Sequence, residues 1–341
     1  MEKTSRRQFI LKAVGATALG FAVSRVLFAN APTAEIMTVS GPIDPATMGL
    51  ALTHEHIMSI FGGPLAEIAS YEEEKLFTTV IPYLKKLHTQ GVNTLCDCTA
   101  AYFGRRPDLL KHIATETGLH ILTNTGYYGA ANDRYVPDHA QTESADQLAQ
   151  RWLDEWENGI GETGIRPGFI KIGVDSGTLP PLDEKLVRAA ARTHHNSGLT
   201  IASHTSGSIE AMQDQLRILE EEHVLPTAWI WVHAHNVQHP NDLLKAAEKG
   251  AWISLDGLSE TTLDHHLTMV THLKTHGYFK QILLSHDGNS FRYGDRPFKP
   301  YDALLTHFIP KLKEVGYTDP DIQQLTVENP RKAFTIRIRQ T

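Results

Sequence analysis

The stretch Met48-Gly49-Leu50-Ala51-Leu52-Thr53-His54-Glu55-His56 decides how the chain is read. An apolar run leads straight into two histidines two residues apart. In an extended strand, residues i and i+2 share a face, so His54 and His56 aim two imidazoles at one point from the end of a strand. Neutral imidazole is the commonest protein ligand for zinc-like ions. Alone, His-x-His suits a pair of hydrogen-bonded histidines equally well. What tips the balance is that an apolar strand followed by a ligand-type residue recurs four more times along the chain.

From about residue 49 the sequence alternates between short β-branched apolar runs and amphipathic stretches. Strands are expected near 50–54, 92–98, 119–124, 168–173, 199–203, 228–233, 251–255 and 281–285. Helices are expected at about 72–90, 106–117, 143–160, 181–197, 207–223, 240–249, 262–276 and 301–315. Eight strands alternating with helices predict an α/β fold, a single-domain (β/α)8 TIM barrel spanning 32–341. The alternative is an open doubly wound sheet, but no glycine-rich phosphate loop follows any of these strands. Residues 34–48, with Gly41-Pro42 and Asp44-Pro45, read as a short N-terminal hairpin closing one end.

The first 31 residues read as a leader rather than as fold. Arg6-Arg7 precede an apolar run from Ala13 to Val23, too short to span a membrane, and Ala29-Asn30-Ala31 is a small-x-small cleavage site. The whole resembles a twin-arginine signal; an ordinary Sec signal is the alternative. The expectation is recognition by the twin-arginine export machinery, cleavage after Ala31 and a periplasmic protein with no stable membrane span. Cleavage removes five basic residues and one acidic residue, taking the formal charge from −7 to −11. No basic stripe suggests a nucleic-acid partner. The only two cysteines, Cys96 and Cys98, alternate with Asp97 in a strand-like run and read as small core residues. The chain carries 19 histidines, a number that suits metal chemistry.

In such barrels the active site lies at the C-terminal ends of the strands. Strand one ends in His54 and His56, strand five in His204, strand six in His233 with His235 close behind, and strand eight in His286-Asp287. Strand four reads Gly168-Phe169-Ile170-Lys171-Ile172-Gly173, a lysine among apolar neighbours. Burying an ammonium costs several kcal/mol unless its pKa falls or it is paired. Lys171 therefore snorkels, forms a Schiff base, or stands neutral and captures carbon dioxide as a carbamate. Only the carbamate explains why histidines and an aspartate ring the same mouth.

This order of residues resembles the phosphotriesterase family of the amidohydrolase superfamily over nearly the whole mature chain. Ser203-His204-Thr205 and Glu328-Asn329-Pro330-Arg331-Lys332-Ala333-Phe334 add to the likeness. The resemblance implies two divalent ions, zinc ahead of Mn2+, Co2+ or Fe2+. It assigns His54, His56 and Asp287 to the more buried ion and His204 and His233 to the more exposed one, with carboxylated Lys171 bridging them. His233 is chosen over His235 on the family's spacing to the next strand, leaving His235 as a contact behind the ligands or with substrate. Asp287 is implied as proton acceptor. Tyr128 stands where the family's lactonases carry a tyrosine, as a partner of the hydroxide or a pocket wall.

The expected function is a binuclear zinc hydrolase that attacks ester bonds with a metal-bridged hydroxide. Small-molecule lactones and carboxylic esters stand ahead of phosphotriesters. A Schiff-base lyase using Lys171 and a non-catalytic metal- or ligand-binding barrel are the alternatives, and a homodimer is left open. Three departures from the family bear on substrate. No carboxylate follows His233 until Asp242, Leu255-Asp256-Gly257 lacks a bulky basic residue, and the loop Gly288 to Pro300 carries Arg292, Arg296 and Lys299.

Overall fold

The computed structural model describes residues 34–341; the expected signal segment lies outside the described residues. Strands β1 (Ile36–Thr38) and β2 (Gly41–Ile43) form the antiparallel hairpin expected from Gly41-Pro42. The barrel strands follow as β3 (Leu50–Ser59), β4 (Val92–Asp97), β5 (His120–Leu122), β6 (Asn124–Thr125), β7 (Phe169–Gly173), β8 (Ile201–His204), β9 (Trp229–Val232), β10 (Trp252–Leu255), β11 (Ile282–Leu284) and β12 (Gly288–Arg292).

All pairings within the barrel are parallel, in two arcs ordered β12-β3-β4-β5 and β11-β10-β9-β8-β7-β6. The arcs join where one strand is broken in two: β5 runs on into β6, and β11 into β12. The third and eighth strands are thus each split, and the ring closes as a (β/α)8 barrel. Across the second break, Thr53 Oγ1 donates to Leu284 O at 3.5 Å and Asp287 N to His54 O at 3.1 Å.

Helices α1 (Glu73–Thr89), α2 (Pro107–Thr117), α3 (His139–Thr142), α4 (Ala145–Asn158), α5 (Pro181–Ser197), α6 (Ile209–Glu221), α7 (Asn241–Ala247) and α8 (Leu263–Thr275) follow the strands. Their ends obey local chemistry. Ser144 and Gln147 form a capping box at the start of α4, and Gly118 and Gly198 end α2 and α5 in the left-handed conformation. Two expectations needed correction. The 301–315 helix starts as a π-turn at Leu304–Phe308 before α9 (Ile309–Glu314), and the 288–300 loop opens with β12. Among the described residues no helix is long and apolar enough to cross a membrane.

Strand alternation divides the core in two. One apolar cluster gathers Ala51, Cys96, Phe169, Ala202, Ile230, Trp252 and Leu283 from the strands, with Ile36 of the hairpin and Phe334 of the C-terminal helix Asn329–Phe334. It fills the barrel below the site. The alternate residues, among them Leu52, Leu95, Ile170, Ile172, Ile201, Trp231 and Ile253, pack with the helices. Cys96 and Cys98 are buried, free and in the inner cluster, as their alternation implied. Gly126 has φ +114°, and a Cβ there would collide with the Lys171 carbonyl, so only glycine lets the third strand lie this close to β7.

Candidate metal centre and active site

Each inner row of side chains changes character as it climbs its strand. Along β7, Phe169 belongs to the apolar core and Lys171, two residues on, lines a cleft; along β8 the same step leads from Ala202 to His204. The cleft is open to solvent and is lined by His54, His56, Lys171, His204, His233 and Asp287, with Tyr128, Phe61, Phe103, Asn289, Arg292 and Lys299. Every residue assigned from sequence as ligand or catalytic group is among them. His54 and His56 sit midway along a ten-residue strand rather than at its end, a correction that arises because β3 continues through Ser59. Register shifts in the β3–β4 pairing between Leu52 and Glu55 mark a local irregularity at the motif.

Hydrogen bonds fix which nitrogen each ring offers. His54 Nδ1 and His233 Nδ1 each lie 2.8 Å from the Asp256 carboxylate. His56 Nδ1 lies 2.8 Å from Thr99 Oγ1, whose own hydrogen goes to the Met58 carbonyl. These partners hold the ring protons on Nδ1 and leave Nε2 as the lone-pair nitrogen. His54 Nε2 and His56 Nε2 lie 3.6 and 3.2 Å from Asp287 Oδ1. The ligand atoms of these three residues all fall within 4.8 Å of one another. His54, His233 and Asp256 cluster as tightly, but there the short contacts are imidazole-to-carboxylate hydrogen bonds. His204 and His233 stand with ring centroids 4.5 Å apart, and Tyr128 Oη lies 3.2 Å from His204 Nδ1.

The electrostatics favour ligation. Burial lowers the pKa of His54 to about 4 and that of His204 well below the usual range, so both rings are neutral. Burial opposes ionisation of Asp287, yet the close approach of the His56, His54 and His233 imidazoles holds its carboxyl well below the ordinary value. Lys171 is 1% exposed, and desolvation lowers its pKa against the opposing pull of Cys98, Asp256 and Asp287. Its ammonium finds one carbonyl, that of Ile172, at 3.4 Å. Two of the lining residues, His233 (φ 63°) and Asp287 (φ 51°), adopt the left-handed conformation that non-glycine residues avoid. Imidazole nitrogens, one carboxylate and a desolvated amine form a donor set that fits divalent transition ions.

Three residues that shape the site were missed. Asp256, 0% exposed, accepts from His54, from His233 through ring and backbone, and from Ser254 Oγ. Alternation would have found it, because Trp252, Ser254 and Asp256 occupy one face of the strand. His235, a contact behind the ligands as expected, lies 3.2 Å from the same carboxylate and stacks on His266. The other two are Thr99, which carries no motif, and Glu55, hidden inside His-x-His.

Residues 34–334 match the model of the phosphotriesterase family, and the chain belongs to that family. It is 30% identical to the phosphotriesterase homology protein of Escherichia coli K12, over 84% of this chain and 98% of that one. It is 27% identical to the aryldialkylphosphatase of Saccharolobus solfataricus, over 86% of this chain and 97% of the other. A solved structure of a mutant organophosphorus hydrolase from Deinococcus radiodurans aligns with a TM-score of 0.78 at 26% identity, covering 88% of this chain and 97% of that chain. The resemblance read from the motifs and the hydrolase class are thereby established.

Proposed function

We propose that this chain hydrolyses ester-type bonds with two divalent ions, zinc foremost, preferring lactones and carboxylic esters to phosphotriesters. The supporting observation is the convergence of His54, His56, Lys171, His204, His233 and Asp287 from five barrel strands on one cleft. His54, His56 and Asp287 would hold one ion, His204 and His233 the other, and Lys171, as a carbamate, would serve both. Bound there, the ions would lower the pKa of water and polarise the bond under attack.

The chain's own residues do the rest. Asp256 and Thr99 orient the rings. Asp287, with Oδ1 turned to the histidines and Oδ2 to Lys299 at 3.1 Å, is placed to take a proton at the cleft floor. Tyr128, stacked on Phe103 at 5.0 Å, offers a hydroxyl beside His204 for the substrate's polar end. The tyrosine favours lactones and esters by likeness to the family's lactonases. Arg6-Arg7 support export by the twin-arginine route to the periplasm.

The deciding experiment assays zinc-, manganese- and cobalt-loaded protein on panels of lactones, carboxylic esters and organophosphates, alongside metal analysis. About two ions per chain and metal-dependent ester hydrolysis are expected, both lost in His54→Ala. One ion or none in protein purified without chelators sinks the binuclear reading.

A further inference from the structure

The mouth of the cleft carries charge that the ligand set leaves unused. Arg292 and Lys299 line it together with the histidines. Arg292 is half-buried and spends one N–H on the Pro297 carbonyl at 3.1 Å. A guanidinium has five donors, and among the described residues no carboxylate pairs with this one. Among the described residues Lys299 Nζ bonds Asp287 Oδ2 alone, which uses one of its three donors. Behind the same rim, Arg134 holds the Gly62 and Gly63 carbonyls and Arg296 that of Phe61, again without a carboxylate among the described residues. In a chain of formal charge −7, two cations, Arg292 and Lys299, line the opening itself. A guanidinium at the mouth with a single backbone bond keeps donors for water, and an oxyanion can take the water's place.

Asn289 lines the cleft at 8% exposure and gives Nδ2 to Ser59 Oγ at 2.6 Å, while its Oδ1 is buried without a partner. Phe61, Phe103 and Tyr128 form an aromatic wall between this rim and the floor. The cleft therefore offers a reacting floor, an apolar middle and a cationic edge.

We infer that Arg292 and Lys299 form an oxyanion subsite, so that the substrate is an ester or lactone carrying a second, anionic group. That group is a carboxylate, phosphate or sulfonate. The inference rests on the ester-hydrolase reading above. Binding energy gained at this edge, away from the reacting bond, is available to hold the scissile group against the floor.

The test compares acyl esters of one leaving group and one chain length, ending in methyl, carboxylate, phosphate or sulfonate, on the metal-loaded full chain. At least one anionic ester should exceed the methyl-ended one in kcat/KM by roughly tenfold or more, and the arms say which oxyanion fits. Arg292→Met should cut that ratio by roughly ten- to hundredfold, chiefly through KM, and Lys299→Met should cut it too. Because Lys299 also touches Asp287, Arg292→Met decides. Salt near about 0.5 M should shrink the ratio as screening tightens. A ratio of one or below, or a ratio untouched by Arg292→Met, overturns the subsite while leaving the hydrolase reading intact. If no ester is hydrolysed, the hydrolase reading fails and calorimetry judges the subsite: glutarate binding no tighter than butyrate, or equally to Arg292→Met, overturns it.

Discussion

Asp256→Asn separates a positioning carboxylate from an ordinary buried acid. Asp256 Oδ1 takes the His233 ring at 2.8 Å and the His233 backbone N–H at 3.1 Å; Oδ2 takes the His54 ring and Ser254 Oγ, each at 2.8 Å. An amide has one acceptor and one donor end. The His233 backbone N–H reaches both oxygens, at 3.1 and 3.2 Å, but the His233 and His235 rings both face Oδ1, so the amide oxygen stays on that side and the new NH2 faces His54 and Ser254. Ser254 can rotate its hydroxyl, whereas His54 must move its proton from Nδ1 to Nε2. Nε2 is the nitrogen 3.6 Å from Asp287, so His54 ceases to be a competent ligand. Loss of such an orienting partner costs about 10–100-fold in metal affinity, or roughly 1.4–2.7 kcal/mol. The ion assigned to His54, His56 and Asp287 should therefore weaken by that factor, with the other less affected. Equilibrium dialysis against a buffered metal series reads both steps, and the cobalt-loaded absorption spectrum reports the geometry. Since the effect runs through His54, adding Asp256→Asn to His54→Ala should cost little more than His54→Ala alone. A folded Asp256→Asn chain that binds both ions with wild-type affinity would refute the reasoning.

Lys171→Ala should lose metal and activity, and a short carboxylic acid supplied with bicarbonate should restore part of each; full activity without rescue removes the carbamate. Acid should destabilise the fold through His194 and His266, both fully buried, whose pKa falls to about 4 from 6.5 chiefly by desolvation. The folded chain keeps these rings neutral while the unfolded chain protonates them, so stability is full above about pH 6.5 and falls down to about pH 4, by roughly 3 kcal/mol for each ring. Urea midpoints that stay flat across that window count against it. Replacing Arg6 and Arg7 by lysine should leave metal-loaded, active precursor in the cytoplasm, as expected of a route that carries folded proteins; normal periplasmic export of the double variant removes the twin-arginine assignment.

The barrel was legible because each element announced itself locally. The expected helices at 181–197 and 106–117 appear as α5 and α2, with Gly198 and Gly118 ending them where glycine relieves the left-handed conformation. What was not legible was structure whose stability is borrowed. Gly288-Asn289-Ser290-Phe291-Arg292 has neither alternation nor β-branched residues, yet it forms β12 because β3 offers it a parallel edge from Glu55 to Ser59. The site divides the same way. Ligands on the inward faces of the strands follow from alternation, whereas Thr99 and Asn289 act through hydrogen bonds that only tertiary structure brings about. Asp256 falls between: its position was readable, its four donors were not.

The residue inside His54-Glu55-His56 ties fold and site together. Alternation sends the two histidines into the mouth and Glu55 to the seam with the eighth strand. There its buried carboxylate accepts from Ser285 Oγ at 2.7 Å, from His286 through backbone N–H at 3.1 Å and ring at 2.7 Å, and from Gly288 N at 2.7 Å. The other nitrogen of His286 accepts from Leu304 N, so this strand-end histidine is fully engaged in structure. Asp287 lies between the two backbone N–H groups that Glu55 grips, in the left-handed conformation, with its own N–H on the His54 carbonyl. The grip on both neighbours over-determines that strained backbone, which is the condition under which such strain persists. The carboxylate that closes the barrel therefore also sets the Asp287 side chain against His54 and His56. A chain with this seam open has the two histidines of β3 without Asp287 beside them. Site assembly and barrel closure are then one event, and any ion held there stabilises the closed form.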